Sequence, residues 1–172
     1  MNRIVVADAG PLIALARIER LALLFALYGS VVVPGAVLAE LCVGSDRPGA
    51  RVLSAALADA FIEPRALPGG CEADMAGLGR LLDAGESAAI LLAQETQCRF
   101  LLIDERRGRQ IARRRGIPVV GLAGVLLAAK QRGLLESVES VSAALSRQGY
   151  RLSDALLEEV LRLAGETGRE GE

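Results

Sequence analysis

Residues 100–115, FLLIDERRGRQIARRR, combine an apolar run, one acidic residue and an arginine-rich segment. The apolar run is short and is followed by a polar segment with helical spacing, which is typical of a parallel strand buried on both faces. Asp104 would then lie at the carboxyl end of a central strand. Because ligands of open α/β sheets bind outside the carboxyl ends of the strands, Asp104 is a candidate for chemistry.

Other short apolar runs alternate with helical patterns along the chain. Strands are predicted at residues 3–7, 31–33, 61–62 and 117–120, with helices in most of the intervening segments. This alternation predicts an α/β protein with an open, mainly parallel sheet between two layers of helices. The 172 residues fit one domain. We expect the main body of the domain at 1–145, and a C-terminal segment of the same domain at 146–172 that consists of a helix and a frayed tail at 165–172.

The composition excludes several classes of enzyme. The chain has no histidine, which removes Ser-His-Asp triads and zinc sites with imidazole ligands. Lys130 is its only lysine, and neither G-x-x-x-x-G-K-[ST] nor G-x-G-x-x-G occurs, so no nucleotide cofactor is expected. Three widely spaced cysteines form no C-x-x-C pattern and indicate a reducing compartment.

Apolar residues make up 52% of the chain, which raises the question of membrane insertion. The longest notable charge-free apolar stretch, residues 117–129, has 13 residues. A spanning helix needs about 20. The N-terminus reaches Asp8 before any long apolar region, so no signal peptide is expected. We therefore predict a cytoplasmic protein without a membrane partner.

Four acidic residues occupy distinctive positions: Asp8 and Asp104 at the ends of two strands, Glu40 on the helix after the second strand, and Glu86 in the first turn of the helix before the 100–103 strand. Singly, each has a structural explanation as a helix cap, a dipole partner or a solvated group. Together they are predicted at one end of the sheet, where converging carboxylates need protons or cations. An all-oxygen ligand set favours Mg²⁺ or Mn²⁺, the ions of metal-dependent nucleases.

Four segments carry a resemblance to a known family: VVADAGPLIAL (5–15), VVVPGAVLAEL (31–41), LDAGESAAILLA (82–93) and FLLIDERRGRQIA (100–112). They resemble PIN-domain proteins, most closely the VapC-like toxin branch, over roughly residues 3 to 135. Members of that branch are metal-dependent endoribonucleases, often encoded with an inhibitory antitoxin. The resemblance implies that Asp8, Glu40, Glu86 and Asp104 coordinate the metal. It further implies a homodimer, an RNA-binding groove and a partner segment that can block the groove.

The chain departs from the family pattern at a few positions. Ala9 and Leu102 stand where many such toxins carry Ser or Thr. Only Glu105 follows closely on Asp104, where a further acid is often present, which favours one bound metal over two.

Residues 105–115 contain six arginines and one glutamate. Such a cluster can neutralise phosphates of a nucleic acid, or it can simply be the solvated face of a helix in an arginine-biased chain. The family resemblance favours the first interpretation, and Arg106 and Arg109, the arginines nearest Asp104, are the predicted substrate contacts. Aromatic residues are scarce, so base stacking should contribute little.

Two other functions are compatible with this pattern. The first is a PIN-like module that binds RNA or a protein without cleaving it, for which Ala9 and Leu102 argue. The second is a phosphatase or receiver-type switch on a similar sheet. It is disfavoured because Gly10 stands where a phosphatase needs a second acid, and no lysine stands at the last strand, where a receiver needs one.

Overall fold

The computed structural model describes residues 2–166. The strands are Val5–Ala7 (β1), Val31–Pro34 (β2), Ile62–Arg65 (β3), Phe100–Leu102 (β4) and Val119–Val120 (β5). The helices are Ala9–Arg17 (α1), Leu21–Tyr28 (α2), Gly35–Glu40 (α3), Ala50–Ala58 (α4), Glu72–Leu78 (α5), Ala84–Glu95 (α6), Arg106–Arg114 (α7), Leu122–Gln131 (α8), Val138–Arg147 (α9) and Asp154–Leu163 (α10).

The strands form one sheet in the order β3-β2-β1-β4-β5, and all four pairings are parallel. In the register of the central pair, Val5 lies opposite Phe100 and Ala7 opposite Leu102. Every residue of β1, β2 and β4 is buried, as their continuous apolar sequences predict for a sheet covered on both faces.

Helices flank the sheet in a three-layer α/β/α arrangement, which confirms the predicted fold class. Helix α6 packs against β1, β2 and β4 and also contacts α3, α5 and α7. Its sequence is apolar around most of the helix, and nine of its residues are buried. A second connected group forms where α8 packs against α2, α9 and α10. Within residues 2–166, no helix is long and apolar enough to cross a membrane.

The C-terminal helices belong to this packing. Helix α10 contacts α8 and α9 and buries Val160. Glu166, which the sequence analysis placed in a frayed tail, is anchored instead. Its carboxylate accepts hydrogen bonds from the backbone N–H groups of Val138 (2.7 Å) and Glu139 (3.0 Å) at the start of α9, and it pairs with Lys130 at 3.2 Å. The rest of the predicted tail, residues 167–172, lies outside the described residues.

Candidate active site

The sheet order places two of the predicted acids in one crevice. Asp8 directly follows β1, and Asp104 follows β4 after one further residue, Ile103. The two strands are neighbours, and the backbone N–H of Asp8 donates to the carbonyl of Leu102 at 2.9 Å. The chain builds β2 and β3 on one side of β1 and adds β4 and β5 on the other, so this crevice is the switch point of the sheet, where ligands of such folds bind.

Asp8 is buried, with 7% of its surface exposed, and its Oδ1 atom has no hydrogen-bond partner among the described residues. Burial raises the pKa of Asp8 to about 7, against the opposing effect of the Ala9 backbone N–H. The charges of Glu86, Glu40 and Asp83 contribute to this rise in the pKa of Asp8. Burial of an unpaired ionised carboxylate destabilises the folded state, so Asp8 is stable in this position when it binds a proton or lies next to a cation.

Glu86 is fixed by the start of α6. Asp83 is the N-cap, and its Oδ1 accepts from the Glu86 N–H at 2.8 Å, while Glu86 Oε2 accepts from the Asp83 N–H at 3.2 Å. This capping box aims Glu86 back toward the beginning of the helix. Burial raises the pKa of Glu86, and the negative charges of Asp83, Glu105 and Glu40 act in the same direction. The hydrogen bond from the Asp83 backbone N–H lowers it.

Asp83 is an acidic neighbour that was not predicted from the sequence, because the tripeptide Asp83-Ala84-Gly85 has the composition of a turn. The Asp-x-x-Glu spacing before an apolar run was the available signal, since it is the capping-box pattern. The charge of Asp83 raises the pKa of Asp8, Glu40 and Glu86, so it belongs to the same acidic group.

Glu40 reaches this group from the last position of α3, which packs against α6. Loss of hydration and the charge of Asp83 raise its pKa, and the Gly85 backbone N–H lowers it. The absence of a side chain at Gly85 leaves room for this carboxylate, because a β-carbon there would overlap with Oε1 of Glu40 and the flexible end of Glu40 would have to move aside.

Asp104, in contrast, accepts hydrogen bonds on both of its carboxylate oxygens. Both of its carboxylate oxygens accept from the Leu122 N–H, at 3.1 and 3.2 Å, and Oδ2 also accepts from the hydroxyl of Tyr150. Burial raises its pKa, and these hydrogen bonds and the charge of Arg109 lower it. A β-carbon at Gly121 would lie 2.7 Å from Asp104 Oδ1 and 2.5 Å from Arg109 Nη1, so the absence of a side chain there makes room for both groups.

Tyr150 is the second site residue that the sequence analysis missed. It lies in the turn between α9 and α10, and 46 positions separate it from Asp104. Its hydroxyl donates to Oδ2 of Asp104, and burial and the charges of Asp104 and Asp8 raise its pKa. No local pattern marks this residue, because only the packing of the C-terminal helices brings it to the sheet.

Whether these acids fit a divalent cation depends on their chemistry and on their spacing. The chemistry fits: all donors are carboxylate oxygens, and Asp8 Oδ1 is buried without a partner. The spacing is looser, because within residues 2–166 no three His, Cys, Asp or Glu side chains are grouped closely enough to hold one metal. The charges of Glu40, Glu86 and Asp83 raise the pKa of Asp8, whereas Asp104 contacts Leu122 and Tyr150 instead.

A groove of about 680 Å³ opens beside Asp104, between α7 and the turn that precedes α10. We call it the basic groove, because four arginines line it: Arg106, Arg109, Arg113 and Arg151. Arg106 is exposed, whereas Arg109 is half-buried and donates from Nη1 to the Ile103 carbonyl at 3.0 Å. Both predicted substrate contacts therefore line the groove, although Arg109 is also tied to the scaffold. Tyr150, Leu152 and Leu156 also line it.

A parallel sheet with helices on both faces and an acidic crevice at its switch point defines a three-layer α/β protein with a candidate acidic site. A family model described as a PIN domain matches residues 4–166, and the chain belongs to this family. No curated protein and no solved structure matches the chain.

Proposed function

We propose that this PIN-domain protein is a metal-dependent endoribonuclease. The observation that carries the proposal is the buried, unpartnered Oδ1 of Asp8, which faces other acids at the switch point of the sheet. A site of this kind is stable when a cation balances its charge. Membership of the PIN-domain family favours a role of this acidic crevice in nuclease activity over a role unrelated to nucleic acids.

In this proposal Asp8, Glu40, Glu86 and Asp104 hold Mg²⁺ or Mn²⁺. The chemistry that such an ion supplies when bound is a more acidic water and compensation of charge on the phosphate. The chain contributes the fixed positions of these carboxylates. The capping box orients Glu86, the bare Cα of Gly85 admits Glu40, and the Leu122 N–H orients Asp104.

RNA is the proposed substrate, and the basic groove supports this choice. Arg106 and Arg109 would contact phosphates next to Asp104, and Arg113 and Arg151 extend the positive charge along the groove. Tyr150 is the one aromatic side chain that lines it, so phosphate contacts rather than base stacking would dominate affinity.

The proposal extends to the biological setting on the strength of the family resemblance. The protein would be the toxin of a toxin–antitoxin pair, act in the cytoplasm and form a homodimer, and an antitoxin segment would block the groove.

A second candidate function is a PIN-like module that binds RNA or a protein with little or no catalysis. Two observations favour it. Asp104 already accepts hydrogen bonds from two donors. Among residues 2–166, no three acidic side chains lie close enough together to bind one metal ion.

Cleavage of defined RNAs, with and without Mn²⁺, by the parent protein and by the Asp8→Asn and Asp104→Asn variants separates the two functions. The nuclease proposal expects Mn²⁺-dependent cleavage by the parent alone, with all proteins folded by circular dichroism. Cleavage by either variant at the parental rate, or binding of RNA by the parent without cleavage, would contradict it. Matched Glu158→Gln protein, altered at an exposed acid on α10, should cleave like the parent.

A further inference from the structure

Tyr150 occupies a position that the proposed chemistry does not explain. Its hydroxyl donates to Oδ2 of Asp104, and its pKa responds to the charges of both Asp104 and Asp8. The hydroxyl therefore contacts a carboxylate that the proposed site would use as a metal ligand.

The two carboxylates differ in a way that Tyr150 explains. Asp8 leaves one oxygen without a donor, whereas Asp104 has the Leu122 N–H, the Tyr150 hydroxyl and the nearby positive charge of Arg109. An ionised carboxylate with several donors is already stabilised without a metal. A cation that approaches Oδ2 of Asp104 would compete with the hydroxyl for this oxygen.

The turn that carries Tyr150 is anchored through its backbone. The N–H groups of Gln148 and Tyr150 both bond to the carbonyl of Leu145, each at 3.0 Å, and Gly149 has a φ of +86°. The main chain of the turn is thus an extension of the end of α9. Any movement that frees Asp104 is therefore expected in the Tyr150 side chain rather than in the turn as a whole.

Space for such a movement exists on two sides of the ring. Tyr150 lines the basic groove of about 680 Å³, and it also lines a smaller cavity of about 200 Å³ beside Ile13 and Arg17 on α1. A change of side-chain rotamer can move the hydroxyl from the crevice without displacing a helix.

Building on the proposed function, we propose that Tyr150 is a positioning residue that acts through Asp104. Its hydroxyl holds the Asp104 carboxylate in the cation-free protein and leaves it when a divalent cation binds. The hydrogen bond then competes with the cation, so Tyr150 sets the concentration at which the site fills.

Tyrosine fluorescence reports directly on this exchange. The chain has no tryptophan and only two tyrosines, so Tyr28→Phe leaves Tyr150 as the sole emitter. Emission from a phenol that is bonded to a carboxylate is quenched. Titration of Tyr28→Phe protein with Mg²⁺, which is not itself a quencher, should give a saturable rise in emission. Its midpoint should match the dissociation constant from calorimetry, and Asp104→Asn in the same background should abolish the rise.

A second measurement uses a matched pair of variants that each lose one phenolic hydroxyl. We expect Tyr150→Phe to bind Mg²⁺ about tenfold more tightly than the parent, since a competing charge-assisted hydrogen bond is gone. Tyr28→Phe should bind like the parent, because its ring lies against Phe100, away from the crevice.

The outcomes separate the role of Tyr150 from the nuclease proposal. If calorimetry detects Mg²⁺ binding but Tyr150 emission does not change, the hydroxyl stays on Asp104 and the Tyr150 proposal is overturned, while the nuclease proposal stands on its cleavage assay. Unchanged or weaker Mg²⁺ binding by Tyr150→Phe also overturns it. Absence of any Mg²⁺ binding by the parent overturns both.

Discussion

Gly85 lies against the carboxylate of Glu40 so closely that a β-carbon at position 85 would overlap with Oε1. The contact joins the first turn of α6 to the end of α3, and the Gly85 N–H faces the Glu40 carboxylate. A glycine at this position is therefore part of the acidic crevice, although it carries no functional group.

Gly85→Ala should leave the free energy of unfolding within about 0.5 kcal/mol of the parent, because displacement of the flexible end of Glu40 offsets the better helix propensity of alanine. Gly77→Ala is the matched control, since Gly77 lies on α5 with no atom within 4 Å of an added β-carbon. Alanine is the better helix former there and should stabilise by about 0.5–1 kcal/mol. Urea unfolding measures both, and equal stability of the two variants would refute the contact.

Asp8 should make the metal-free protein less stable as the pH rises. Its pKa is about 7 in the folded protein and ordinarily 3.8, so between these values the folded state holds a proton that the unfolded chain has lost. The stability contributed by protonated Asp8 is complete below pH 4 and is lost as the pH rises through 7, a change on the order of 4 kcal/mol.

Asp8→Asn should remove this pH dependence. In EDTA, we expect the variant to be more stable than the parent at pH 8 and to differ less from it at pH 5. Asp59→Asn, at an exposed position after α4, serves as the control and should follow the parent. Urea unfolding at the two pH values gives the comparison, and parallel loss of stability in parent and Asp8→Asn would show that Asp8 is not the group responsible.

Arg113 and Arg114 provide a test of the basic groove from adjacent positions of one helix. Both are exposed on α7, but Arg113 lines the groove and Arg114 does not. We expect Arg113→Gln to weaken binding of a single-stranded RNA in EDTA and to reduce the slope of log affinity against log salt by about 0.7. Arg114→Gln should change neither by a comparable amount. Fluorescence anisotropy at several salt concentrations measures both affinities. The same slope for the two variants would show that RNA does not bind in the basic groove.

Part of the geometry of the candidate site could be predicted from the sequence, because parallel strands end at a common edge. Asp8 and Asp104 could be placed from the apolar runs that precede them, and the sheet brings their strands together. Asp83 was missed because the Ala84-Gly85 pair that follows it is typical of a turn, whereas Asp83 caps a helix. Tyr150 could not have been found from local pattern, because its contact with Asp104 depends on how α9 and α10 pack. The same packing brings Arg151 to the basic groove.

The central claim is that Asp8 and its acidic neighbours form a site for one divalent cation. Thermal unfolding of the parent and of Asp8→Asn at pH 8, in EDTA and then in excess Mg²⁺, tests it most directly. A bound cation stabilises the folded state by about 2.7 kcal/mol at one hundred times its dissociation constant, so the melting temperature of the parent should rise by several degrees. Asp8→Asn should not respond to Mg²⁺. An equal rise in both proteins, or no rise in the parent, would contradict the account.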